Sequence, residues 1–292
     1  MTIEVRTVTL RGVELGAGQP KICVPLTGAT VDELLAQVER LPAGRFDLVE
    51  LRIDYLERVD ERRQALDAAE AVRAALPDSV PLLFTFRSAA EGGQRELDLG
   101  DYERLLTGAI ATRAVDAIDV EMFTELGVLE RIVNAAHEAG VVVVMSSHDF
   151  HETPPLDQIV ARLTLQQDLG ADVVKIAVMP TSPRDVLTLL EATDEFRQTK
   201  GVRPAITMAM GPLGVVSRLS GEIFGSCLTF GSVGDASAPG QVPVEGLQDA
   251  LGLVHAAQPA PVPGPPATVP QPEDDDVSRL VDDTIPYVEN QG

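Results

Sequence analysis

Short runs of β-branched and apolar residues return eight times between residues 21 and 233, separated by stretches whose apolar residues recur at helical spacing. The runs are 21–27, 47–54, 81–88, 117–123, 141–148, 172–179, 203–210 and 227–233. The helical patterns cover 30–41, 59–76, 101–114, 124–139, 156–169, 183–199, 213–224 and 244–257. Parallel strands need long crossovers, usually helices, and eight strand–helix units in this length are the pattern of a (β/α)8 TIM barrel. A doubly wound sheet usually carries a glycine fingerprint after its first strand, whereas that turn here reads PLTGAT. The expectation is therefore an α/β (β/α)8 barrel. The opening VTLRGVELGAG predicts a short N-terminal β-hairpin lying across the barrel bottom.

Local signals mark the helix ends. Thr30 followed by Glu33, and Ser182 before Pro183, read as helix starts; Gly140 and Gly170 read as helix stops. After about residue 257 the composition turns Pro-rich and then acidic, with seven acidic residues and one basic. This divides the chain into a catalytic barrel at 1–257 and a tail at 258–292. Such a composition predicts disorder; a docking segment through Val277, Leu280 and Val281 is the alternative.

Composition removes several partners. A formal net charge of −22 disfavours nucleic acid and anionic membrane surfaces, both of which need clustered Lys and Arg. The longest apolar stretch, GVVVVM, is far too short to span a membrane, and the first residues lack a signal-peptide pattern. Two cysteines, Cys23 and Cys227, do not make a disulfide framework, so the expectation is a soluble, cytoplasmic protein.

Catalytic groups of such barrels sit at the C-terminal ends of strands, where polar residues gather in these runs. Alternation in DLVELRID puts Glu50, Arg52 and Asp54 on one face and Val49, Leu51 and Ile53 on the other. Thr85 and Arg87 share a face at the end of the third run, and a strand-end Arg suits an anion. His148 closes the fifth run, where an imidazole serves as general acid or base. Lysine occurs only three times against 20 arginines, so Lys175 in DVVKIAVMP asks for a reason specific to an amine. Two readings stand: a desolvated amine that attacks a ketone to form an imine, or an ammonium paired with Glu50, Asp119 or Glu121. Arg218 is placed to clamp a carboxylate, Met208 and Met210 to pack on a small substrate, and DASAPGQ to act as a lid.

Together, VELRIDYL, LLFTFRSAAEGGQ, AIDVEMF, SSHDFHETP, DVVKIAVMP, ITMAMGPLGVVSRLSGEIFGSCLTF and ASAPGQ resemble type I 3-dehydroquinate dehydratase, in order, from about 21 to 245. The resemblance implies dehydration of 3-dehydroquinate to 3-dehydroshikimate through a lysine Schiff base, the third step towards chorismate and the aromatic amino acids. It implies no cofactor and no metal, a small carboxylate substrate, and a homodimer. By resemblance the imine-forming lysine is Lys175, the acid/base His148, and the residue orienting it Glu91. Substrate contacts fall on Glu50, Arg52, Arg87, Arg218, Ser237 and Gln241, with Met208 and Met210 lining the pocket. Ser147 stands where the family often has an aromatic, and Ala209 where serine is common. A class I aldolase or transaldolase is the alternative Schiff-base barrel.

Overall fold

The structure, a computed structural model, describes residues 4–59, 61–234 and 237–258. Arg11 and Gly12, both at positive φ, turn the chain between β1 (Val8–Leu10) and β2 (Val13–Leu15), which pair antiparallel. Two positive-φ residues suit the type I′ turn that matches strand twist. Eight parallel strands follow: β3 (Lys21–Leu26), β4 (Leu48–Arg52), β5 (Leu82–Thr85), β6 (Ala117–Glu121), β7 (Val142–Asp149), β8 (Val173–Val178), β9 (Ala205–Ala209) and β10 (Leu228–Ser232). From β3 to β9 each pairs with the next in sequence, and β10 returns to β3. Between β9 and β10 the ring closes through an Ala205–Ser226 bridge, where the Cys227 N–H donates to the Ala205 carbonyl at 2.8 Å.

The helices are α1 (Val31–Glu39), α2 (Arg62–Ala75), α3 (Leu99–Thr112), α4 (Leu126–Ala139), α5 (Leu156–Asp168), α6 (Pro183–Thr199), α7 (Val215–Leu219), α8 (Gly221–Phe224) and α9 (Val244–Ala256). Thr30 Oγ1 accepts the Glu33 N–H while the Glu33 carboxylate accepts the Ala29 N–H, and Ser182 with Asp185 forms a capping box over Pro183. Gly140 ends α4 in the left-handed conformation. These are the helix boundaries expected from sequence, and the (β/α)8 class holds.

Three expectations change. The helix expected over 213–224 is a 3-10 turn at Pro212–Gly214 followed by the separate α7 and α8. A Cβ on Gly214 would lie 2.0 Å from the Ala209 carbonyl, and one on Gly221 2.7 Å from the Ser226 carbonyl, so the chain at both positions lies too close to its neighbours for any residue but glycine. The run 47–54 leaves the ladder at Arg52, and Ile53–Tyr55 turns instead as a 3-10 segment. A two-residue strand that the sequence pattern does not predict, β11 (Val242–Pro243), pairs parallel with β10. Residues 259–292, most of the expected disordered tail, lie outside the described residues, as do Asp235 and Ala236 of the expected lid.

The alternation sorts two apolar layers. Val49 and Leu51 face the helices, whereas Leu48, Glu50 and Arg52 point into the barrel. At the lower end Leu10 and Leu15 of the hairpin pack with Cys23, Leu48, Leu83, Val144, Val173 and Leu228. Arg11 fastens this plug, its Nε donating to Asp116 at 2.7 Å. The bottom is thus closed by apolar packing, and polar groups gather only at the other end. Leu15 is 1% exposed, so Leu15→Ala should lower unfolding free energy by about 2–5 kcal/mol in urea titration. A loss below about 0.5 kcal/mol, the range of surface substitutions, would show that the plug is not part of the core.

Candidate active site

The upper end of the barrel holds a cavity of ≈ 240 Å³. All the site residues singled out from sequence line it: Glu50, Arg52, Arg87, Glu91, His148, Lys175, Met208, Met210, Arg218, Ser237 and Gln241. Tyr55, Gln94, Phe150 and Phe230 complete the wall.

Lys175 points inward from β8, the only buried lysine among the described residues. Its Nζ lies 2.9 Å from Asp119 Oδ2, 3.8 Å from Glu50 Oε1, and 4.9 Å from the centre of the Phe230 ring. Of the two readings open at the sequence level, the resting state is the paired ammonium. Burial disfavours the charge of Asp119, but Arg87 and Lys175 outweigh it and hold this carboxyl well below the usual range.

Arg87 is the centre of the network. Its Nη2 donates to Asp119 at 2.7 Å, and its Nη1 reaches Glu121 at 2.9 Å, Ser146 Oγ at 2.9 Å and Glu91 at 3.3 Å. Ser146 in turn donates to Asp119 at 2.6 Å. Arg52 is held bidentately by Asp54, at 2.8 and 2.9 Å, and its guanidinium stacks 5.1 Å from the centre of the Tyr55 ring. Asp54 reaches this position because the 3-10 turn folds it back over the end of β4. Thr85 donates to Glu50 at 2.9 Å.

Arg218 differs from both. α7 carries it inward, 2% exposed, with no carboxylate partner among the described residues. Nη2 donates to the Pro239 carbonyl at 3.1 Å, and Nε is buried without a partner. Burial alone brings this guanidinium down to about 10. An unpaired buried guanidinium is expensive, and an anion is the partner its planar fork fits. Beside it Gln241 accepts the Ser237 N–H and donates to Ser237 Oγ, both at 2.9 Å, so the two side chains form one polar edge.

His148 Nδ1 lies 2.9 Å from Glu91 Oε2, which leaves Nε2 as the nitrogen available to the cavity. Burial, then Arg87 and Lys175, push the imidazole well below its ordinary range. Burial also raises Glu91, to about 8, against the opposing pull of Arg87; its Oε1 is buried with no hydrogen-bond partner. The two groups titrate as a pair. With Glu91 protonated, its O–H donates to Nδ1 and Nε2 carries the hydrogen, an acid facing the cavity. With Glu91 ionised, Nδ1–H donates to the carboxylate and Nε2 presents a lone pair, a base facing the cavity.

The sequence pattern singles out neither the back-folded Asp54 clamp nor Gln166 of α5. Gln166 Oε1 accepts the Lys175 N–H at 2.8 Å, and its Nε2 donates to the Lys175 carbonyl at 2.9 Å. A signal exists: the other buried residues of α5 are Ile159, Val160 and Leu163, so one glutamine interrupts an apolar face. No group of His, Cys, Asp and Glu among the described residues has a metal-binding arrangement. No described helix is long and apolar enough to cross a membrane.

As a check on the dyad, ¹⁵N shifts of His148 should pass from the Nε2–H to the Nδ1–H tautomer as pH rises through about 8. Because Glu91 releases the proton, Glu91→Gln should abolish that transition. An imidazolium signal persisting above pH 7 would contradict the assignment.

Residues 22–258 match the family model for type I 3-dehydroquinase. The chain is 51% identical over 250 residues to a 3-dehydroquinate dehydratase of Syntrophotalea carbinolica, covering 85% of this chain and 98% of that one. A 3-dehydroquinate dehydratase of Clostridium novyi is 47% identical, covering 86% and 99%. The crystal structure of the type I 3-dehydroquinate dehydratase of Clostridium difficile with covalently modified comenic acid superposes with a TM-score of 0.84 at 42% identity, covering 87% of this chain and all of that one.

Proposed function

The chain belongs to the type I 3-dehydroquinase family, a family of hydro-lyases, and on that premise we propose that it dehydrates 3-dehydroquinate to 3-dehydroshikimate through an imine on Lys175. One observation carries the covalent reading: the only buried lysine among the described residues shares its cavity with the Glu91–His148 dyad. The covalently modified comenic acid of the Clostridium difficile relative is in keeping with a covalent mechanism.

Nζ leaves its pair with Asp119, its lone pair freed by loss of one proton, and adds to the C3 ketone; that proton and a second one from nitrogen leave with the carbonyl oxygen as water, which gives the cationic imine. The cationic imine acidifies the neighbouring C2–H. His148, with Glu91 ionised, takes that proton on Nε2. The enamine then expels the C1 hydroxyl, which leaves as water with the proton that Nε2 now holds. Hydrolysis of the imine releases 3-dehydroshikimate and restores the amine, so the imine serves as electron sink and atoms balance over the cycle.

Arg218 with Ser237 and Gln241 is the carboxylate site in this reading, since Arg218 alone lacks an internal counter-charge. Arg52 and Arg87 are saturated by Asp54, Asp119 and Glu121, so they and Glu50 are assigned to the hydroxyl edge of the substrate. Met208 and Met210 supply the apolar side. The catalytic domain is 1–257, with 258–292 appended to it. The chain acts in the shikimate pathway; its place at the third step, in a cytoplasmic homodimer, completes the proposal. No cofactor or metal has a role in these steps.

Lys175→Ala should abolish turnover while leaving substrate binding measurable by calorimetry. Borohydride reduction of the wild type with substrate should leave its mass increment on Lys175; unmodified Lys175 with turnover intact would remove the covalent mechanism. His148→Ala should still form the imine but lose dehydration by about 10²–10⁴-fold. Arg218→Met removes a charge-assisted clamp and should raise KM by roughly 10- to 100-fold. An unchanged KM would move the carboxylate elsewhere.

A further inference from the structure

We propose that Gln166 is the positioning residue for the nucleophile, holding the Lys175 peptide by both its N–H and its carbonyl. The proposal rests on the covalent reading of Lys175. Gln166 is fully buried, and each end of its carboxamide is spent on the same residue, at 2.8 and 2.9 Å. A further approach, Nε2 to Met122 Sδ at 3.4 Å, completes its surroundings. Packing does not call for this side chain, because its companions on the buried face of α5 are Ile159, Val160 and Leu163. Replacing a fully bonded buried amide with an apolar group of the same shape is often close to neutral when both partners go. Here the partners are backbone groups and cannot be removed, so the amide is tied to Lys175 itself.

Four rotatable bonds separate the Lys175 Cα from Nζ. In the resting state both ends of the side chain are fixed, the tip by Asp119 at 2.9 Å and the root by Gln166. When the amine leaves Asp119 to attack a carbonyl, the tip is released. Only the root still fixes where Nζ travels. Attack geometry is sensitive to this, since a displacement of about 1 Å costs roughly 10²-fold in rate.

Gln167 provides the internal control. Its carboxamide also bonds backbone, accepting the Val202 and Arg203 N–H groups at 3.0 and 3.2 Å and donating to the Lys200 carbonyl at 3.3 Å, but it does not touch Lys175. Losing it removes comparable bonds without disturbing the nucleophile.

The experiment compares Gln166→Met, Gln167→Met and wild type by the single-turnover rate of borohydride-trapped adduct on Lys175, together with kcat, KM and the unfolding midpoint. Gln166→Met should slow adduct formation and kcat by about 10²-fold with KM nearly unchanged. Gln167→Met should lower the midpoint and leave the trapping rate at the wild-type value. If folded Gln166→Met traps at the wild-type rate, or if Gln167→Met slows trapping equally, the positioning role is overturned. Should Gln166→Met fail to fold, Gln166→Asn keeps a neutral amide but is one methylene too short to hold both the N–H and the carbonyl of Lys175. A slowed adduct in that variant supports the role, and wild-type trapping overturns it. Failure of the covalent reading is separate, seen as no adduct on Lys175 in the wild type.

Discussion

One buried guanidinium organises the upper end of the barrel. Arg87 joins Asp119, Glu121, Glu91 and Ser146 around a single charge, and through them it reaches Lys175 and His148. Burying any one of these charges alone would be costly, and a buried pair is stable only when its remaining lone pairs are satisfied. The arrangement meets that condition for Asp119, which has Arg87, Ser146 and Lys175 on its two oxygens. It leaves it unmet for Glu91, whose Oε1 has no partner. Arg87 therefore helps hold Asp119 well below the usual carboxylate range, whereas at Glu91 burial outweighs the same cation's pull and pushes the carboxyl up to about 8. An anchor and the partner of a base are made from one kind of side chain, a carboxylate, by unequal hydrogen bonding and charge pairing.

That unevenness explains what the sequence can and cannot reveal. The alternation in DLVELRID follows from the two-residue period of a strand, so Glu50 and Arg52 are legible as inward-facing from the residue pattern alone. Lys175 stands out because a chain rich in arginine spends so few lysines. The partners are not legible. Asp119 is one of three candidates, and nothing local distinguishes it from Glu121 until β6, β7 and β8 are laid side by side. Asp54 looks like a strand residue, yet the turn at Ile53–Tyr55 folds it back onto Arg52. The break between α7 and α8 falls at Ser220, and the glycines that flank α7, Gly214 and Gly221, are the signal for it that the apolar spacing of 213–224 hides. The glutamine of α5 is visible as an oddity, but its object, the Lys175 peptide, is set only by how α5 lies on β8.

Charge shows the same contrast between whole and site. A formal −22 would repel a carboxylate at long range, but screening limits distant charges to about 10 Å at ordinary ionic strength. Around the cavity the charges largely pair off. Arg52, Arg87 and Lys175 of its wall are held by Asp54, Asp119 and Glu121 behind that wall, and burial pushes Glu91 up to about 8. Arg218 is the guanidinium of this wall without a carboxylate partner among the described residues, which is why the proposed carboxylate contact is assigned to it.

The ion pair at Lys175 bears on how the proposed chemistry is prepared. An ammonium paired with a carboxylate looks unsuited to nucleophilic attack, and at the sequence level pairing and imine formation stand as alternatives. In the proposed chemistry they are successive states of one nitrogen. Nζ is cationic before the amine is freed and cationic again once the protonated imine has formed, and Asp119 stays ionised opposite it throughout. The carboxylate is already oriented by Arg87 and Ser146, so stabilising the iminium requires no rearrangement when that charge reappears. Electrostatic help of this kind depends on fixed partners, and here the partners are buried, mutually bonded and placed by adjacent strands β6, β7 and β8. The resting network thus keeps Asp119 oriented, while the substrate is absent, for the positive charge of the proposed intermediate.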